Sequence, residues 1–265
     1  MWRKLQRRQP VKPFAFGSQW LREVARILAR GAAFRIASAK PAAAPMTCSQ
    51  LSSTTRICLS RSHAVSPANG LTTGLQPLPD MLVRIRRAPV VSIALIRGRA
   101  TGVGSELALS SDMRFASRET AVLSQWEVGA GLVPGGGPMA RLPRLIGRGR
   151  ALEVLLGADD IDGDLAELYG YVNRSLPDAE LDDFVDRLAK RIASFDKQAI
   201  AEIKRLVNVA SLPADSEISH EWGAFIDSLG RPAAHERIKK LMALGFHRPG
   251  DVENRLGHYL GQLSG

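Results

Sequence analysis

The segment PVVSIALIRGRATGVGSELAL, residues 89–109, decides how the rest of the chain reads. PVVSIALI (89–96) is a β-branched apolar run of strand length between proline and glycine, which predicts a buried strand. RGRATGVGSELAL (97–109) then turns through glycines into SELALSSD, a short helix with one acid, Glu106, at its mouth. A carboxylate placed there is either an acid favoured in a first helical turn or a desolvated group whose raised pKa suits proton transfer. The residues alone leave both readings open.

Working outward, a second glutamate occupies a similar setting: Glu127, in SQWEVGAGLVPGGG (124–137). It too has a plain alternative, a surface acid beside a turn. MRFASRETAVLSQ (113–125) gives two short extended pieces about a polar turn, and GAGLVPGGGPMARLPRLIGRGRALEVLLG (129–157) gives a loop and helices. DAELDDFVDRLAKRIASF (178–195) spaces Leu181, Val185, Leu188 and Ile192 for one helical face, and the theme repeats through 198–209. Further helices are expected over 214–229 and 231–244. Strand, turn and helix alternate early and helices dominate late, which predicts an α/β core with a helical C-terminal portion.

Charge divides the 265 residues sharply. The net charge of +10 belongs to residues 1–79, which hold 12 Lys/Arg and one acid, Glu23; residues 80–265 come to −1. A near-neutral body excludes nucleic-acid binding as the reading of the basic total. Both cysteines, Cys48 and Cys58, lie in the basic part, so the body has neither a cysteine metal site nor a disulfide. No apolar run approaches a membrane span. Residues 1–69 read as a basic leader or linker. QWLREVARILAR (19–30) has the pattern of a basic amphipathic helix, so the body is expected in the cytoplasm, or in mitochondria if residues 1–40 act as a presequence. A disordered tail and a misread gene start are the alternatives. Residues 41–79, rich in turn formers and without a sustained period, are expected to be irregular chain.

Other signatures fail. TGVGSEL has leucine where GxGxxG needs its last glycine, no GK[ST] follows a glycine loop, and GxSxG is absent. The five histidines lack metal-ligand spacing, and Asp159, Asp160 and Asp162 suit helix capping better than calcium. Arg141, Arg144, Arg148 and Arg150 read as a solvated face or as contacts for phosphates. Trp222 and Phe225 share a helix face and read as core or subunit contacts.

The order of APVVSIALIRGRATGVGSELALSSDMRFAS, SQWEVGAGLVPGGGPMARLPRLIGRGRALEVLL and DLAELYGYVNRSLPDAELDDFVDRLAKRIASF resembles the crotonase superfamily, the enoyl-CoA hydratase/isomerase group, over about residues 70–265. The resemblance implies a spiral of ββα turns over 70–195, closed by C-terminal helices over 196–265 and assembled as a trimer or hexamer. It implies acyl-CoA thioester substrates, with coenzyme A as part of the substrate and no resident cofactor or metal. It places the acid/base pair at Glu106 and Glu127, and an oxyanion donor at the backbone N–H of Val103, between Gly102 and Gly104. It also implies that Trp126 and Gly135 line the substrate.

Three departures from the family pattern accompany it. Valine stands where the glycine turn usually has a third glycine, which would strain the backbone if its φ were positive. Trp126 replaces the proline of the QPE-like segment, and Pro138 takes a usual glycine position at a helix start, where proline is tolerated. No segment of the A-x-x-D type, which carries the other oxyanion donor in the family, is found before residue 89, so the fold is expected to be truncated at its N-terminal side. Two functions follow: an acyl-CoA hydratase or isomerase, or a catalytically impaired crotonase-like binding or assembly module.

Overall fold

A computed structural model describes residues 49–52, 55–60 and 75–263, all within one compact unit, Phe34–Gly265. One sheet joins, in spatial order, β1 (Ser49–Ser52), β2 (Thr55–Ser60), β3 (Val91–Ile96), β5 (Met113–Ser117) and β8 (Arg174–Leu176). A second joins β4 (Arg99–Thr101), β6 (Val122–Ser124) and β7 (Ile161–Asp162). The helices are α1 (Pro77–Arg87), α2 (Val103–Leu109), α3 (Pro138–Ile146), α4 (Arg148–Gly157), α5 (Gly163–Tyr169), α6 (Asp178–Ala193), α7 (Lys197–Ser211), α8 (Asp215–Leu229), α9 (Pro232–Leu244), α10 (Asp251–Asn254) and α11 (Leu256–Gly261).

The spiral comes from one repeated step. β3 and β4 are consecutive but enter different sheets, α2 crosses back, and β5 and β6 repeat the step. β3 and β5 run parallel from Ile93↔Met113, and β4 and β6 run parallel from Arg99↔Val122. This is the ββα turn that the family resemblance implies. It places the start of α2 and the chain after β6 side by side at the same end of the second sheet.

The alternation of β3 is decisive for packing. Ile93 and Leu95 join Phe115 against Leu181, Val185 and Ala189 of α6, with Phe115 and Phe184 edge to face at 5.1 Å. Of the face predicted on α6, Leu181 and Val185 are buried and Leu188 and Ile192 half-buried, with Ala189 completing the contact. α7 forms where its period predicts but buries no residue fully, and Ile203, Leu206 and Val207 are exposed. It is tied down by polar contacts: Lys204 Nζ donates to the Val90 carbonyl at 2.6 Å and to Asp112 at 2.7 Å.

The expectation of irregular chain over 41–79 is corrected at residues 49–52, 55–60 and 77–79. β2 pairs antiparallel with β3 from Thr55↔Ile96 to Ser60↔Val91, and β1 pairs with β2. Strands this short carry little periodicity of their own and form where a neighbouring strand supplies the ladder. α1 begins at Pro77, because proline at the first helical position starts a helix although it reads as a turn former. β7, α5 and β8 follow the same rule of short elements fixed by tertiary pairing. The amphipathic stretch at 19–30 and the rest of residues 1–48 lie outside the described residues.

Candidate active site

The turn from β4 into α2 is made by Gly102, at φ +54° and ψ −123°, a conformation that favours glycine. A Cβ there would also stand 2.5 Å from Trp126 Nε1 and 3.1 Å from Glu127 Oε1. Among the described non-glycine residues only Ala158 and His247 have positive φ, so Val103 opens α2 without strain and keeps its N–H. The first intrahelical bond runs from the Glu106 amide to the Gly102 carbonyl at 2.9 Å, which leaves the Val103, Gly104 and Ser105 amides without an intrahelical acceptor.

Glu106 projects inward from α2 and is 2% exposed. Its Oε1 accepts from the Gly136 amide at 2.7 Å, and a Cβ at Gly136 would stand 2.2 Å from Oε2. Gly136 is thus glycine because the carboxylate presses on its backbone, whereas Gly137, at φ +93°, is closed in by Arg141 and Ile218. Burial raises the Glu106 pKa; the Gly136 N–H, the Arg141 guanidinium and the Gly135 N–H oppose that shift.

Glu127 opens a short 3-10 turn after β6 and is 7% exposed. Burial raises its pKa well above the usual carboxylate value, and the charge of Glu106 raises it further. Its Oε2 is buried without a hydrogen-bond partner. The two carboxyls therefore lie within each other's field in a buried site. Ionising both is costly, so the pair retains a proton at a pH where isolated carboxyls have none. Trp126 lies against Gly102 and packs edge to face on Phe246, with ring centroids 5.1 Å apart. Gly135 packs on Phe225, to whose Cβ a side chain there would approach within 2.9 Å.

Of the residues singled out from sequence, Gly102, Val103, Trp126, Glu127, Glu106 and Gly135 converge on one region, while Gly104 faces open space. Sequence reading missed two participants. Glu221 of α8 is buried, and its carboxylate accepts from the Ala140 and Met139 amides at 2.5 and 3.2 Å, at the start of α3. Burial pushes its pKa up to about 7. Arg141 is buried rather than on a phosphate-facing surface: it donates to the Gly136 carbonyl and lies beside Glu106 and Glu221. Arg144 is likewise engaged, with the Ala140 carbonyl and Glu217, and Arg150 with the Tyr169 carbonyl. The phosphate reading is corrected for Arg141 alone; Arg144 and Arg150 lie on the exposed face.

Asp162 caps α5 through the Leu165 amide, and Asp160 pairs with Arg99 at 2.6 Å. Among the described residues no group of three His, Cys, Asp or Glu is placed to hold a metal, and no helix is long and apolar enough to cross a membrane.

Fold and site together define a two-sheet ββα spiral with a pair of coupled, buried carboxyls at a glycine turn. The chain belongs to the enoyl-CoA hydratase/isomerase family, whose model matches residues 70–230. It is 40% identical over 145 residues to the crotonyl-CoA hydratase of Syntrophomonas wolfei, covering 54% of this chain and 55% of that protein. It is 38% identical over 134 residues to the short-chain-enoyl-CoA hydratase of Clostridium acetobutylicum, covering 50% and 51%. Among solved structures, one described as an enoyl-CoA hydratase from Streptomyces avermitilis matches with a TM-score of 0.70 at 45% identity, over 71% of this chain and 68% of that one. The chain spans about half the length of the curated relatives it matches.

Proposed function

We propose that the chain acts on acyl-CoA thioesters as an enoyl-CoA hydratase or isomerase, with Glu106 and Glu127 as the acid/base pair and the Val103 N–H as an oxyanion donor. The observation that carries the reading is the coupled burial of the two glutamates beside the Gly102 turn. In the hydration direction, one carboxylate accepts a proton from water as its oxygen attacks the β-carbon. The other carboxyl delivers a proton to the α-carbon, and the Val103 N–H stabilises the thioester oxygen as it gains charge. Gly102, Gly104, Trp126 and Gly135 shape the walls around that oxygen and the acyl group. Coenzyme A enters as part of the substrate, and the chemistry calls for no resident cofactor.

The same reading makes the protein a homo-oligomer, trimer or hexamer, working in the cytoplasm or, with residues 1–40 as a presequence, in mitochondria. One observation favours the alternative of an impaired binding module: the Trp126 indole occupies the space in front of Gly102. The readings separate in an assay of the full chain on short enoyl-CoA thioesters, following loss of the conjugated absorbance beside Glu106→Gln and Glu127→Gln. Turnover that each substitution lowers by about 10²-fold or more supports the enzyme. Turnover no higher than that of the doubly substituted chain, with thioester binding retained, supports the module.

A further inference from the structure

Behind the two glutamates lies a buried polar cluster that the proposed reaction does not use. The Gln125 amide Nε2 donates to Ser105 Oγ at 3.0 Å and to the Tyr171 hydroxyl at 3.5 Å, and Ser105 and Tyr171 share a short hydrogen bond between their hydroxyls. All three side chains are fully buried. Their positions in the chain matter more than their polarity. Ser105 immediately precedes Glu106 on α2, and Gln125 lies two residues before Glu127. Tyr171 belongs to neither segment: it sits between α5 and β8, held by its amide on the Ala166 carbonyl and by its own carbonyl on Arg114 Nε.

The ladder between β4 and β6 ends at Thr101↔Ser124. Beyond it one chain enters α2 and the other enters the 3-10 turn, and both glutamates lie past that point. The cluster spans the gap just where the ladder stops.

We propose that Tyr171, acting with Ser105 and Gln125, is a positioning residue that fixes the two glutamates relative to each other. The inference deepens the proposed acid/base role and rests on that reading for its catalytic consequence, though not for its geometric one. Tyr171 is suited to the task because burial keeps its phenol neutral, its pKa pushed up to about 12, so the hydroxyl stays protonated as the glutamates titrate. The charged groups around the cluster are Arg114 and Glu127 facing Tyr171, Glu106 facing Glu127, and Arg141 and Glu221 on the far side of Glu106. Removing the phenol oxygen leaves the Gln125 amide short of an acceptor in a dry interior, so the segment relaxes and water reaches the pair. Glu127, which burial and Glu106 hold high, then titrates closer to an ordinary carboxyl.

The test uses the full chain with 13C at the glutamate carboxyl carbons, resonances being assigned with Glu106→Gln and Glu127→Gln. In Tyr171→Phe the Glu127 titration is expected to fall by about one pH unit, a tenfold loss of proton affinity. Ser105→Ala, which removes the other hydroxyl from a smaller side chain, is expected to do the same and keeps the test available if Tyr171→Phe does not fold. Where the parent turns over a short enoyl-CoA, both substitutions are expected to lower kcat about tenfold or more with KM within about twofold, the signature of a misplaced reacting group. Unchanged glutamate titrations in the folded variants would overturn the positioning role whether or not the parent is active. A parent without turnover, combined with shifted titrations, would overturn the proposed enzyme and leave the positioning role standing.

Discussion

Replacing Glu221 by glutamine is expected to stabilise the protein at alkaline pH and not at acid pH. The ordinary carboxyl value of 4.5 rises to about 7 in the fold, because burial against α3 outweighs the hydrogen bonds from Met139 and Ala140 and the charge of Arg141. A group whose folded pKa lies above its unfolded pKa gives its full stabilisation below the unfolded value and loses it as pH rises through the folded one. For Glu221 that window runs from about pH 4.5 to about pH 7 and slightly beyond. Integrating the linkage between pH 5 and pH 8.5, the parent loses about 2–3 kcal/mol that a neutral glutamine does not lose. Glutamine keeps one carbonyl acceptor but turns an NH2 toward the second amide, where the neutral acid offers its hydroxyl oxygen, so the variant gives up about 1 kcal/mol relative to the neutral parent.

The curves are therefore expected to cross, with the variant slightly weaker at pH 5 and about 1–2 kcal/mol stronger at pH 8.5. Urea denaturation of both proteins at the two pH values measures the difference directly. A stability difference that stays flat with pH, or that favours the parent more at pH 8.5 than at pH 5, would refute the assignment of Glu221 as a buried carboxyl with a raised pKa.

Two further outcomes are expected. Val103→Pro removes the N–H proposed to hold the thioester oxygen while keeping a residue suited to the first position of a helix, so kcat is expected to fall about 10²–10³-fold with the fold retained; an unchanged kcat would remove Val103 from the reaction. Lys204→Met breaks the contact with Asp112, both side chains being largely buried, and is expected to cost about 3 kcal/mol in urea denaturation. Amide exchange would rise first in α7, which buries no residue fully. Exchange rising evenly across the chain would contradict polar tethering of that helix.

The parts of the fold legible in the sequence are those whose local pattern already contains the answer. PVVSIALI is apolar because β3 is covered on both faces, and Leu181 and Val185 recur on one face because α6 lies along the sheet. Gly102 and the run 135–137 sit at close approaches, while Gly104 does not, and both glutamates stood out because an acid among glycines and apolar residues has few ordinary roles.

What was not legible depends on partners far along the chain. β1 and β2 exist through pairing with β3, which no local period reports. Arg141 was indistinguishable from its exposed neighbours because its burial comes from α8, some 80 residues away. Glu221 did leave a signal: it shares a helix face with Ile218, Phe225 and Ser228, all buried, so an acid stood on the apolar side of an amphipathic helix. Tyr171 left none, since a tyrosine before Val172 reads equally well as surface or core.

The central claim is that two coupled glutamates at a glycine turn move protons at the carbons of an enoyl thioester. Incubating the full chain with crotonyl-CoA in D2O and weighing the product measures that transfer itself. A 3-hydroxyacyl thioester carrying one deuterium on the α-carbon is expected from the parent and not from Glu106→Gln/Glu127→Gln. Binding of the thioester with no deuterium reaching the α-carbon anywhere between pH 6 and pH 9 would contradict the claim.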